Sequence, residues 1–212
     1  MQKKFKTLAV LTIGLILTAV TLTSCLKEGT DTIVLPLPDG KIPTSVIPQN
    51  LQDSLVVNGF DINEGVEPPM IEGRFVSAPM ILHYASDDYV NNFYDLYMTF
   101  AEQQPRGMVK YTESQDNTVT GNSIEADVIG TGNKFTMYCY QNVTDSLNGQ
   151  QLYRCKTATV VSGWMDSTGI KNCKYSIIVL EKEAINNYYD SRLPAVGTFR
   201  VFFDGDNLAV RL

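Results

Sequence analysis

From Ile71 to the C-terminus, apolar and polar residues alternate in short runs, and clusters of Gly, Asn and Asp interrupt them about every ten residues. Period-two alternation belongs to antiparallel strands with one buried face. Strands are predicted near 71–84, 94–102, 107–114, 118–129, 134–143, 151–162, 169–180, 197–203 and 207–212. The alternation gives an inner face to Leu96, Met98 and Phe100, to Phe135, Met137 and Cys139, and to Tyr153 and Cys155. Cys173, Tyr175, Ile177 and Val179 follow, as do Phe199, Val201 and Phe203. Arg154, Lys156, Lys174 and Arg200 fall out of phase and are expected to meet water. One buried face over eight or nine meandering strands predicts an all-β domain, a single antiparallel up-and-down barrel, with a β-sandwich as the alternative. Short sequential turns at Asn148-Gly149, Asp166 to Gly169 and Asp204 to Asn207 favour the barrel.

The pattern changes upstream. Leu51, Leu55 and Val56 sit at near-helical spacing, opened by Pro48 and closed by Asn58-Gly59, which predicts a short N-terminal helix over Pro48 to Val57. Before it, residues 26 to 47 carry Pro36, Pro38 and Pro43 with little periodicity and read as an extended stalk. The first residues are basic, with Lys3, Lys4 and Lys6, and then an apolar stretch runs from Leu8 to Leu22. It closes on Leu22-Thr23-Ser24-Cys25, small residues before a cysteine, as a lipoprotein signal peptidase requires. The uncharged run Thr7 to Leu26 is long enough to span a bilayer, but it contains several threonines and ends in the cleavage motif. The expected organisation is therefore a signal peptide over 1–24, a lipid-anchored linker over 25–47 with the diacylglyceryl group on Cys25, and a β domain over 48–212. Acyl chains contribute about 0.8 kcal/mol per buried methylene, so they anchor without a spanning helix.

Charge narrows the partners. Removing residues 1–24 takes away three of the seventeen basic residues and none of the twenty-three acidic ones, leaving fourteen against twenty-three, a balance of −9. Neither nucleic acid nor a polybasic grip on anionic lipid is expected. Membrane contact falls to the anchor. Three cysteines remain beyond Cys25, an odd number that leaves at least one thiol free. Cys139 and Cys155 are equidistant from Leu147, inside the expected turn Asp145 to Gly149, so either they bridge a hairpin or all three thiols are buried small hydrophobes.

Catalytic chemistry is thin. His83 is the single histidine, in alternation with Ile81 and Pro79, and reads as structural. The pairs Asp87-Asp88 and Asp204-Gly205-Asp206-Asn207 lack the downstream glutamate of a calcium loop, and the second reads as a hairpin turn. Glu72, Glu125 and Asp127 are further carboxylates that spacing alone does not group. No cofactor, metal or enzymatic activity is expected. Aromatic rings at Tyr94, Tyr97, Tyr111, Tyr138, Tyr140, Trp164, Tyr188 and Tyr189 offer stacking surface or ordinary strand packing.

The run Pro68-Pro69-Met70-Ile71-Glu72-Gly73-Arg74-Phe75, the segments Val161-Ser162-Gly163-Trp164 and Gly169-Ile170-Lys171-Asn172, and the ending Phe202 to Arg211 carry a resemblance. Over 48–212 the chain resembles a group of uncharacterised Bacteroidetes lipoproteins with lipocalin-like (calycin-like) β-barrels. The resemblance implies fold and host and carries no activity. Lys27, Glu28 and Asp31 resemble the charged tether that directs such lipoproteins to the outer face of the outer membrane, which implies an outer-membrane location on the periplasmic or cell-surface side. It also implies O-glycosylation at Asp-Ser/Thr motifs, here Thr32, Ser54, Ser146 and Ser167. Two functions follow as expectations. The first is a binding module for a small apolar molecule or glycan, motivated by Met98, Met137, Thr157 and Thr159 on the inner face and with the helix closing one end. The second is an accessory lipoprotein docking on an outer-membrane protein assembly.

Overall fold

The computed structural model describes residues 39–92, 94–105, 107–115, 124–147, 150–184 and 194–212. The expected signal peptide 1–24, Cys25, Thr32, the expected turn at Asn148-Gly149, Tyr188 and Tyr189 lie outside the described residues. Helix α1 spans Gln49–Val57 and is followed by β1 (Val66–Glu67), β2 (Gly73–Ser77), β3 (Met80–Ala85), β4 (Leu96–Ala101), β5 (Met108–Ser114) and β6 (Ile124–Thr131). The longest strands come next, β7 (Lys134–Leu147), β8 (Gln150–Asp166) and β9 (Gly169–Ala184), and the chain ends with β10 (Phe199–Asp204) and β11 (Leu208–Arg211). Strands β2, β4, β5, β6, β7, β8, β9 and β11 form a closed antiparallel ring of eight, because β11 pairs with both β9 and β2. The architecture is the barrel, not the sandwich.

Its first and last walls are each one long strand broken in the middle. β2 pairs with β11 through Val76↔Val210, and β3 carries the same line onward to pair with β10 through Ile81↔Phe203. The break on one side contains Pro79, which has no N–H to give a ladder. On the other side stand Asp204 to Asn207, expected from sequence as a hairpin turn. That expectation fails: β10 and β11 run in the same direction along β9, Phe203 facing Lys174 and Leu208 facing Lys171. The segment is a bulge, with Asn207 in the left-handed region at φ 63°. The two breaks are tied together, as Gly205 N donates to Pro79 O at 2.8 Å and Ser77 Oγ bonds the buried Asp204 carboxylate.

Wall height is uneven. β6 pairs with β7 only between Lys134 and Tyr138, whereas the β7–β8 ladder continues to Leu147↔Gln150 and the β8–β9 ladder to Tyr153↔Ala184. β7, β8, β9, β10 and β3 therefore make a tall wall opposite the shorter β4, β5 and β6.

Inside the ring, Phe75, Phe100, Phe135, Tyr111, Tyr175 and Phe202 are buried with Met98, Met137, Cys139, Val161 and Cys173 in one cluster. A second cluster lies on the outside of the tall wall. There Tyr138, Ala158, Val160, Ile178, Phe199 and Val201 are covered by Ile42, Ile47, Leu55 and Phe60. Helix α1 thus packs against the flank of the barrel and does not close an end. The stalk boundary shifts as well, since Ile42 and Ile47, read as linker, are 3% and 0% exposed. Gln52 Nε2 pins this segment by donating to Ile42 O at 3.0 Å and Ile47 O at 2.7 Å, while Val56, expected on the apolar face, is 53% exposed.

Because the tall wall is buried on both sides, alternation misassigned β10. Phe199 and Val201 pack in the outer cluster with Phe203 against it, and Phe202 points into the barrel. Lys174 does not meet water either. It is 8% exposed, with Nζ 2.8 Å from both Asp61 Oδ2 and Gly59 O and 4.7 Å from the centre of the Phe203 ring, which latches the end of α1 to β9. Strand β1, which pairs in parallel with β6 at Gly130 and Thr131, has no counterpart in the sequence reading.

Candidate functional site

At the end where the tall wall rises, the inner face turns from apolar to polar. On β5 the inward positions after Val109 and Tyr111 end at Glu113, which lies opposite Met98 of β4. Tyr111 Oη donates to Glu113 Oε2 at 2.7 Å, and Tyr175 Oη reaches over from β9 to Oε1 at 3.3 Å. The Gln141 side chain is a third partner. All three bonds favour the carboxylate, yet burial outweighs them and lifts the Glu113 carboxyl above its ordinary range. Burial likewise pushes both phenols well up.

Beside this carboxyl, β7 and β8 place Cys139 opposite Thr159 and Gln141 opposite Thr157, all inward. Thr157 is 6% exposed and its hydroxyl has no partner. Thr159 Oγ1 faces the Tyr175 hydroxyl without an aligned bond. Unpaired buried hydroxyls are costly, of order 1–3 kcal/mol each. Ile124 and Ile177, half-buried, pack on the apolar cluster below.

Arg200, expected to meet water, is opposite Ile177 on β10 and in step with inward Phe202. It is held there by Asp87, with contacts of 2.6 and 3.2 Å, and lies 3.9 Å above the Tyr89 ring. The guanidinium keeps the Asp87 carboxyl below its ordinary range.

The remaining expectations distribute as follows. The Cys139–Cys155 bridge is not made. The register sets Cys155 against Val143, four residues from Cys139↔Thr159, which is about 13 Å along a ladder and too far for a disulfide. Leu147 is itself paired, with Gln150, so the two strands are not symmetric about it, and that displacement moves the partners apart. All three thiols are free and buried; burial raises Cys139 to about 12 and lifts Cys155 and Cys173 too. They are poor nucleophiles at neutral pH.

His83 is not near them. It stacks on Phe203 at 4.2 Å on the outer side. Nor do the carboxylates converge. Glu72 accepts from Gln103 N, Glu125 is exposed, Asp127 is half-buried outside beside Tyr138, and Asp204 belongs to the seam. Among the described residues no group of three metal-ligating side chains occurs. The rings scatter: Tyr111 is inside, Tyr138 lies under the N-terminal segment, and Tyr140 and Trp164 carry Lys156 and Lys134 over their faces at 4.9 and 5.3 Å. Ser167 is exposed in the β8–β9 turn, Ser54 is half-buried and donates to Asn50 O, and Ser146 lies in β7. A small cleft of about 70 Å³ between Met108, Lys110 and Glu125 on the surface has room for only a few waters.

Sequence reasoning left Glu113 out because no inner face was assigned to β5, although Val109, Tyr111 and Glu113 alternate plainly. No protein-family model matches the chain, nor does any curated protein or solved structure.

Proposed function

We propose that this is an outer-membrane lipoprotein of the Bacteroidetes type, acylated on Cys25, whose barrel mouth binds a small molecule. The observation that carries the binding reading is the buried, unpartnered Thr157 hydroxyl on β8, in register with Gln141, whose side chain bonds Glu113, on a mouth walled unequally. An eight-stranded barrel has room for side chains or for one small ligand, and here the apolar floor is filled while the polar rim has hydrogen-bonding capacity to spare. Binding is favoured over catalysis because the thiol beside Glu113, Cys139, is kept protonated by burial, its pKa pushed up to about 12.

Native mass spectrometry of the chain purified from its host's membranes tests this. A discrete mass beyond the lipid and any glycan is expected, and a bare chain overturns it. Cys25→Ser is expected to abolish labelled fatty-acid incorporation; retained label would remove the anchor. The accessory alternative draws on Val90 and Tyr94, 81% and 75% exposed in the loop before β4. Crosslinking from position 94 to an outer-membrane protein in intact cells is its test.

A further inference from the structure

Resting on the binding reading above, we infer that the mouth selects a small primary amine with an apolar or aromatic body, the ammonium seated between Glu113 and the Thr157 hydroxyl. The donor and acceptor tally leads there. An ionised carboxylate has about four lone-pair sites. Tyr111, Tyr175 and Gln141 use three of Glu113's, and all three partners are neutral. No described cation bonds to this carboxyl. Arg200, on the same side of the barrel, is engaged by Asp87, and Lys174 is turned outward to Asp61. Lys182 is paired with Cys155, one alternation step beyond Thr157 on β8, and acts on that thiol and not on Glu113.

An ammonium brings three donors and no acceptor. Glu113 supplies its counter-charge, and Thr157 and Thr159 supply hydroxyl oxygens that lack aligned donors. A carboxylate or phosphate ligand would instead face Glu113 with like charge. A neutral alcohol would satisfy a hydroxyl and leave the carboxyl without a cation. Around the head group Ile124 and Ile177, half-buried over the packed core, offer apolar surface that fits a hydrocarbon or ring.

The experiment is calorimetric titration of the full lipidated chain in nanodiscs, with empty nanodiscs as blank, using 2-phenylethylamine, 2-phenylethanol and phenylacetate. These share one body and differ in head group. The amine is expected to bind at least ten-fold more tightly than the alcohol, with phenylacetate weakest. Glu113→Gln keeps the shape and is expected to remove the preference, so that amine and alcohol bind this variant with equal affinity. Thr157→Val, a milder variant that does not touch the carboxyl, is expected to weaken the amine two- to five-fold. Equal affinity for amine and alcohol, or preference for phenylacetate, overturns the amine assignment while leaving a binding module in place. If none of the three binds, the assignment also falls, and a bare chain in native mass spectrometry would then remove the binding reading itself.

Discussion

The two faces of the tall wall make an instructive pair. Its inner face carries Cys139, Thr159, Val161, Cys173, Tyr175 and Phe202; its outer face carries Tyr138, Ala158, Val160, Ile178, Phe199 and Val201. Both are buried, by different means. The inner face is covered by the rest of the ring, through strand pairing that closes on itself. The outer face is covered by residues 39–62, which hold on through side chains and the polar ties of Lys174 to Gly59 and Asp61. Burial of the first is inseparable from the barrel, whereas burial of the second depends on an added layer.

The largest effect should come from the inner face. Phe135→Ala leaves a cavity where the ring cannot relax and is expected to cost about 3–5 kcal/mol in denaturant unfolding. Leu55→Ala, on the covering layer, is expected to cost about 2–4 kcal/mol. Its effect should be local, with faster amide exchange over 39–62 and unchanged protection in β5 and β6. Equal loss of protection everywhere would show that layer and barrel are one cooperative unit. Lys174→Met removes the latch but leaves Asp61 half in water, so about 1–2 kcal/mol is expected, again read out over 39–62.

The smallest effect is a pH slope. Burial raises Glu113, so the unfolded chain releases this proton first. The stability linked to it is whole below the ordinary value of 4.5 and is lost as pH rises through the raised value. Glu113→Gln should flatten that slope in melts taken across the window. Asp87, lowered by Arg200, acts in the opposite sense: its contribution is present above 3.8 and is lost as pH falls through its lower folded value. Arg200→Met should therefore begin acid unfolding at higher pH than the parent chain.

The same pair of faces explains what the sequence disclosed. Where one side of a strand is wet, as in β4 with Leu96, Met98 and Phe100 inward, alternation places the residues correctly. In Val201-Phe202-Phe203 and Ser176-Ile177-Ile178-Val179 both sides are apolar, period two vanishes, and parity becomes a guess. Lys174 and Arg200 were misplaced because charge was taken for solvent exposure, whereas each has a partner supplied by a distant segment, Asp61 or Asp87. The polar mouth was half legible. Thr157 and Thr159 read inward, but nothing local ties Glu113 to Tyr175, 62 positions away, and only closure of the ring brings them together.

That closure has a consequence for time as well as shape. The strand sealing the ring is β11, Leu208–Arg211, which must pair with β2 near the start of the domain and with β9. A chain emerging N-terminus first cannot complete its barrel until β11 is free, so the sheet has an open edge while β2 to β10 are being made. Loss of Leu208–Arg211 would leave two seams unpaired at once. This strand, rather than any loop, is where the protein decides between finishing its fold and offering an edge to a neighbour.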